Sequence, residues 1–264
     1  MNGVRAWTCG GSRPVLALHC SLSHSGAWSG LVGHLAGVTV TARDLPGHGR
    51  APEWDGKTDL HTLATRCALT LAEGIGGGAP VDLLGHSFGA TVALRIALER
   101  PELVRSLTLI EPVLFAAARA AGWPGWAVFE QEGQEMRCLL ASGDREGATR
   151  VFLADWGAAV PFDDLPAALR KYMTDRIHLI PAQDDTLLRD AAGLLGFMRP
   201  EGLGLPVLLV EGADSPPVMA AILDELARRL PDTRRLVVPG AGHMVPITHP
   251  EPVARAIMAL LAES

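Results

Sequence analysis

The sequence predicts an α/β protein with a mostly parallel central sheet, helices on both faces and one inserted α-helical cap. Three observations carry this. Six short apolar runs alternate with longer segments of helical period, the alternation stops once, between about residues 113 and 200, and that interval holds most of the large aromatic side chains.

The short, mainly apolar runs Val15 to Leu18, Val38 to Thr41, Val81 to Leu84, Leu107 to Ile110, Val207 to Val210 and Leu236 to Val238 read as strands. Strands separated by helical segments imply parallel pairing with crossovers. Leu60 to Glu73 and Phe88 to Glu99 have helical composition, and in Met219 to Leu230 the residues Met219, Ile222, Leu223, Leu226 and Leu230 form one stripe. Val253, Ile257 and Leu261 recur at helical spacing after Pro250, which suits a closing helix with proline near its start.

From residue 113 to 200 no strand pattern is visible. The interval carries Phe115, Trp123, Trp126, Phe129, Phe152, Trp156, Phe162, Tyr172 and Phe197, which is nine of the thirteen Trp, Phe and Tyr residues in the chain. A lid over an apolar pocket needs large rigid side chains on its underside, so the expected organisation is a core of residues 1–112 and 201–264 with a helical cap over 113–200. The competing role for these aromatics is to fasten the insertion to the core.

Composition narrows the function classes. The formal net charge is -6 and the basic residues are dispersed, which argues against a nucleic-acid partner. The start of the chain lacks a basic segment followed by a long apolar stretch, and no run reaches the length of a membrane span, so a cytoplasmic protein without a membrane partner is expected. Cys9, Cys20, Cys67 and Cys138 are widely spaced with no CxxC pair, which suggests free thiols. No histidine pair or carboxylate cluster with ligand spacing appears, nor a glycine-rich phosphate loop, so neither metal nor cofactor is expected. Monomer and homodimer both stay open.

The chemistry concentrates at Gly85-His86-Ser87-Phe88-Gly89. The apolar run Val81 to Leu84 leads into it and a strongly apolar helix follows. A GxSxG in that context is a nucleophile elbow, a sharp turn that projects the serine hydroxyl beside a helix N-terminus. A second signal is Pro239-Gly240-Ala241-Gly242-His243-Met244, a glycine-rich loop between the last strand and the last helix, which lets an imidazole reach across to a serine. His249, beside Pro250, suits a capping or surface role instead.

On these residues the chain resembles the α/β-hydrolase superfamily over almost its whole length. The resemblance implies that Ser87 is the nucleophile and His243 the general base. Leu18-His19-Cys20-Ser21 resembles the family's His-Gly-x motif, with Cys20 in place of the glycine, and implies an oxyanion hole built from the backbone N–H groups of Ser21 and Phe88. Asp44 to Arg50 is similar to the loop that such members carry after the next strand, and His19 and His48 would hydrogen-bond loops beneath the site.

Two residues compete for the third catalytic position. Most members carry the acid in a Gly-x-x-Asp pattern after the penultimate strand. Here Gly212-Ala213-Asp214-Ser215 puts Ser215 at that place and Asp214 one residue early. Glu111, at the end of the strand after the nucleophile helix, occupies the position used by other relatives. Glu111 is favoured and Asp214 stays open; the loser would cap a helix. A serine at the elbow implies an acyl-enzyme. The resemblance implies a carboxylesterase or lactonase acting on a small apolar ester-like substrate. A C–C bond hydrolase or a synthase-like lyase using the same triad is the alternative, and a non-catalytic small-molecule-binding protein is a further one.

Overall fold

In a computed structural model, which describes residues 3–198 and 203–264, the apolar runs become six strands of one sheet in the order β2-β1-β3-β4-β5-β6. They are β1 (Val4–Leu18), β2 (Val38–Arg43), β3 (Val81–His86), β4 (Val104–Ile110), β5 (Val207–Gly212) and β6 (Thr233–Val238). Neighbouring strands from β3 to β6 pair in parallel. Each therefore needs a crossover, and helices supply it.

β1 is longer than its apolar run suggests. Its first half runs antiparallel to β2, with Val4 opposite Arg43 and Cys9 opposite Val38, and its second half runs parallel to β2, with Arg13 opposite Val38 and Leu18 opposite Arg43. One strand thus flanks β2 on both sides, turning at Gly10 and Gly11. The first half is only partly buried, and its mixed composition hid it from an apolar-run reading.

Helices α1 (Ser29–Val32), α2 (Leu60–Gly76) and α3 (Phe88–Glu99) connect the first four strands. Between β4 and β5 lie α4 (Phe115–Ala120), α5 (Trp126–Ala141), α6 (Arg145–Trp156), α7 (Ala167–Arg176), α8 (Asp184–Leu187) and α9 (Leu194–Phe197). After β5 come α10 (Val218–Arg229), α11 (Val245–Thr248) and α12 (Pro250–Glu263). Among the described residues the interval between β4 and β5 holds helices and no strand. The expected limit of that interval at 200/201 falls in residues 199–202, outside the described residues, as do Met1 and Asn2. Among the described residues no helix is long and apolar enough to cross a membrane.

Alternation along the strands divides the core between the two faces of the sheet. Leu16 and Leu18 pack with α2, α3 and α10, whereas Val15 and Ala17 pack with α1 and α12. The stripe of α10 (Met219, Ile222, Leu223, Leu226) belongs to the first cluster, and Val253, Ile257 and Leu261 of α12 to the second. Burying each such side chain contributes about 1.5–3 kcal/mol. Asp82 of β3 is a charged group buried within the sheet. Arg13 holds it at 2.6 and 2.8 Å, Ser106 Oγ donates to it at 2.7 Å and Arg105 reaches it at 3.2 Å. With its oxygens satisfied in this way, the desolvation of the carboxylate is offset.

The open ends of β3, β4 and β5 converge on one edge of the sheet, where Ser87, Glu111 and the loop after Gly212 emerge side by side.

Candidate active site

Ser87 sits between β3 and α3 with φ 55° and ψ -119°. A non-glycine residue in that region is strained by roughly 1–3 kcal/mol, and such strain persists only where the surroundings impose it. Its N–H is tied to Ile110 O at 2.9 Å and its carbonyl starts α3 through Ala90 N at 3.0 Å. The flanking glycines are required by close approach and not by backbone dihedral, since neither has a positive φ. A Cβ on Gly85 would collide with the backbone of Ala90, and one on Gly89 with the carbonyl oxygens of Leu18 and His19.

The hydroxyl of Ser87 lies 3.0 Å from Nε2 of His243, and Nδ1 of the same ring lies 2.9 Å from Oε2 of Glu111. With Nδ1–H donating to the carboxylate, Nε2 presents its lone pair to the serine proton. All three residues are buried. Glu111 also adopts a left-handed backbone, φ 51°, immediately after β4. Its other oxygen, Oε1, accepts from Gly212 N at 2.7 Å and from Ser215 Oγ at 2.8 Å.

Asp214 is outside this chain of contacts. Its backbone N–H donates to Ala241 O at 2.8 Å, its side chain is exposed and makes no hydrogen bond among the described residues, and it lines the cavity above the site. It does not cap α10, whose N-cap position is Pro217 with no side-chain cap. Of the two carboxylates that the sequence left in competition, the structure brings Glu111 to the imidazole.

The loop after β1 passes the same edge. Neither Ser21 N–H nor Phe88 N–H donates to a protein acceptor among the described residues. Replacement of the usual glycine by Cys20 does not force an unusual backbone there; the left-handed residue is Leu22, with φ 57°. Burial pushes the Cys20 thiol up to about 12, which keeps it protonated. His19 and His48 brace the loops, as expected. Leu45 N–H donates to His19 Nε2 at 2.9 Å, the Nδ1 of His19 meets Cys20 O at 2.7 Å, and the Nδ1 of His48 meets Pro46 O at 2.9 Å.

Four residues support this arrangement through contacts that the sequence did not signal. His86 Nε2 meets the carbonyl oxygen of His243 at 2.9 Å, holding the His243 loop against β3, and burial drives the His86 imidazole down to about 3, so it is neutral and its Nε2–H donates. Gln183, buried at the end of the turn Pro181–Gln183, exchanges hydrogen bonds of 2.9–3.0 Å with Ser21 Oγ. Tyr172 of α7 donates its hydroxyl to Ser23 O at 2.6 Å and accepts from Gly49 N at 2.8 Å. Ser215 is the fourth.

Ser87 and His243 form part of the floor of a cavity of about 1140 Å³. Phe115, Trp123, Trp126, Phe129, Phe152 and Trp156 line it, and Tyr172 does too. Two of the nine aromatics do not: Phe162 is buried beneath the guanidinium groups of Arg150 and Arg170, and Phe197 is exposed. Cys9, Cys20, Cys67 and Cys138 are free thiols. Among the described residues no group of three or more His, Cys, Asp or Glu side chains converges so as to hold a metal.

A family model described as the alpha/beta hydrolase family matches residues 15–256. The chain is 32% identical to a pimeloyl-[acyl-carrier protein] methyl ester esterase of Methylococcus capsulatus, over 99% of this chain and 100% of that protein. It is 34% identical to Lipase LipV of Mycobacterium tuberculosis, over 42% of this chain and 41% of that protein. Among solved structures, that of a thermophilic esterase superposes with a TM-score of 0.70 at 21% identity, covering 100% of this chain and 98% of that one, a likeness of fold. Strand order, elbow and family match agree, and the chain belongs to the alpha/beta hydrolase family.

Proposed function

We propose that this protein is a serine esterase that cleaves a carboxylic ester through an acyl-enzyme, with Ser87 as nucleophile, His243 as general base and acid, and Glu111 as the triad carboxylate. The observation that carries the reading is the unbroken line from Ser87 Oγ through His243 to Glu111 on the floor of an apolar cavity.

In the first step Ser87 Oγ attacks the ester carbonyl while its proton passes to His243 Nε2, and Glu111 stabilises the imidazolium. The oxyanion of the tetrahedral intermediate is received by the N–H groups of Ser21 and Phe88, the latter with the N-terminal dipole of α3 behind it. His243 returns the proton to the departing alcohol, leaving the acyl group on Ser87. Water then attacks the acyl carbonyl, gives a proton to His243 and releases the acid as Ser87 recovers its own.

The segment between β4 and β5 acts in this reading as the cap over the substrate. Its aromatic underside supports an ester substrate, as do an esterase and a lipase among the relatives. A cavity of about 1140 Å³ is larger than a small ester needs and leaves room for a substrate with a long or bulky apolar group. Two of the three arginines that line the cavity are paired: Arg137 binds Asp184 at 2.8 Å and Arg189 binds Asp185 at 2.6 Å.

The test combines labelling with turnover. A fluorophosphonate should modify Ser87 and nothing else, and Ser87→Ala should lower kcat for p-nitrophenyl esters by roughly three orders of magnitude or more with the fold intact. Near-native turnover by Ser87→Ala would end the proposal. A panel of esters of graded acyl length, run with a lactone and a diketone, should favour the longer esters; preference for the diketone would replace ester cleavage by C–C bond hydrolysis.

A further inference from the structure

The triad carboxylate is gripped from the side opposite the imidazole. Glu111 Oε2 faces Nδ1 of His243, so the rotation of the carboxylate about its last bond is set by whatever holds Oε1. Two donors do so, Gly212 N–H at 2.7 Å and the Ser215 hydroxyl at 2.8 Å. The first belongs to the end of β5 and comes with the sheet. The second is a side chain on the loop between β5 and α10, and nothing in the strand pairing requires it.

That loop is itself anchored to the loop of the base. Ala213 N donates to Val238 O at 2.9 Å, Asp214 N to Ala241 O at 2.8 Å and Ser215 N to Gly212 O at 3.2 Å. A Cβ on Gly212 would run into the backbone of Ala241 and Gly242. Ser215 is therefore delivered to Glu111 by the same packing that delivers His243. Ser215 also lines the cavity while Glu111 is fully buried, so this residue stands between the substrate space and the carboxylate.

Glu111 has a left-handed backbone and no solvent contact, and a buried carboxylate left short of a donor turns toward whatever donor remains. We propose that Ser215 is a positioning residue: its hydroxyl fixes the rotation of the Glu111 carboxylate so that Oε2 stays in line with His243 Nδ1, and its side chain screens that carboxylate from the substrate cavity. The proposal rests on the reading of Glu111 as the triad acid. A hydroxyl donating to an ionised group is worth more than a neutral hydrogen bond, and its effect here is felt through the orientation of the base rather than through contact with substrate.

The test is a set of variants assayed on one p-nitrophenyl ester, with melting temperature recorded for each. Ser215→Ala should lower kcat by roughly tenfold with KM within about twofold, because the defect lies in the relay and not in binding. Ser215→Thr keeps the donor and should recover most of the loss. In a Glu111→Gln background the further change Ser215→Ala should have little added effect on kcat, since the group it positions is already disabled. Losses in Ser215→Ala and Ser215→Thr of equal size, additive losses in the double variant, or native kcat in Ser215→Ala beside a crippled Glu111→Gln would each overturn the positioning role. Native kcat in Glu111→Gln would instead overturn the triad reading itself. Where Ser215→Ala folds poorly, Ser215→Thr decides: a native melting temperature with kcat lowered roughly tenfold or more would overturn the positioning role.

Discussion

The indole of Trp156 stands edge-on to the imidazole of His243, with ring centroids 4.8 Å apart and planes at 89°. Trp156 closes α6, and Phe115 packs against the same indole with centroids 5.6 Å apart. His243, the base in the proposed relay, is thus held by the core through His86 and touched by the helical segment through Trp156. An edge-to-face aromatic pair is worth about 0.5–1.5 kcal/mol, so Trp156→Ala should lower kcat for p-nitrophenyl esters about 3- to 10-fold. Trp156→Phe should lose less. Unchanged kcat in the alanine variant would mean that the ring lines the pocket without steadying the base.

The glycines of this chain separate into those the packing demands and those it tolerates. A Cβ at position 89 would invade the carbonyl oxygens of Leu18 and His19, both backbone and unable to yield. Gly89→Ala should destabilise by about 3 kcal/mol or more, at the upper end of overpacking. Gly74, on the exposed side of α2, meets nothing within 4 Å, and Gly74→Ala should stabilise by about 0.5–1 kcal/mol through helix propensity and a less flexible unfolded chain. Urea titration of both variants checks the pair, and a tolerated alanine at 89 would contradict the packing described for the elbow.

The sheet and the elbow were legible because buried parallel strands leave continuous apolar runs, and because Gly85 to Gly89 follows such a run and opens a helix. The first half of β1 was not, since Val4 to Gly10 lies at an edge and carries a mixed pattern. The sequence favoured Glu111 without excluding Asp214, as both follow a strand at the same end of the sheet. What distinguishes them is the path of the Gly212 to Ser215 loop, which bonds Asp214 N–H to Ala241 and turns Ser215 toward Glu111. The hydrogen-bonding roles of Gln183 and Tyr172 escaped notice for a related reason: they act on loops far away in the chain, Tyr172 bridging Ser23 and Gly49, and no local periodicity marks such a role.

Four buried histidines give the protein a specific acid sensitivity. Burial pushes His19 down to about 4 and His48, His61 and His86 to about 3, from an ordinary value of 6.5. Below pH 6.5 the unfolded chain therefore binds protons that the native state refuses. Stability is fully present above that pH and is lost as pH falls toward 4, with each histidine contributing up to about 1.4 kcal/mol per pH unit. The melting temperature at fixed ionic strength should begin to fall near pH 6.5, above the range in which carboxylates titrate. A flat melting temperature down to pH 4.5 would show that these imidazoles are not held neutral.

The two carboxylates near the site should differ sharply on substitution. Glu111 is buried and aligned with Nδ1 of His243, so on the proposed relay Glu111→Gln should cost roughly 100- to 10,000-fold in kcat, because an amide can neither stabilise the imidazolium nor enforce the tautomer. Asp214 is exposed on the cavity wall, and Asp214→Asn should leave turnover of a neutral ester within about threefold, since its charge is screened by water. The same change removes a negative charge from the space a substrate enters. Asp214→Asn should therefore improve kcat/KM for an ester whose acyl chain ends in a carboxylate, relative to the neutral ester of equal length. A larger loss in Asp214→Asn than in Glu111→Gln would transfer the acid's role to the β5–α10 loop.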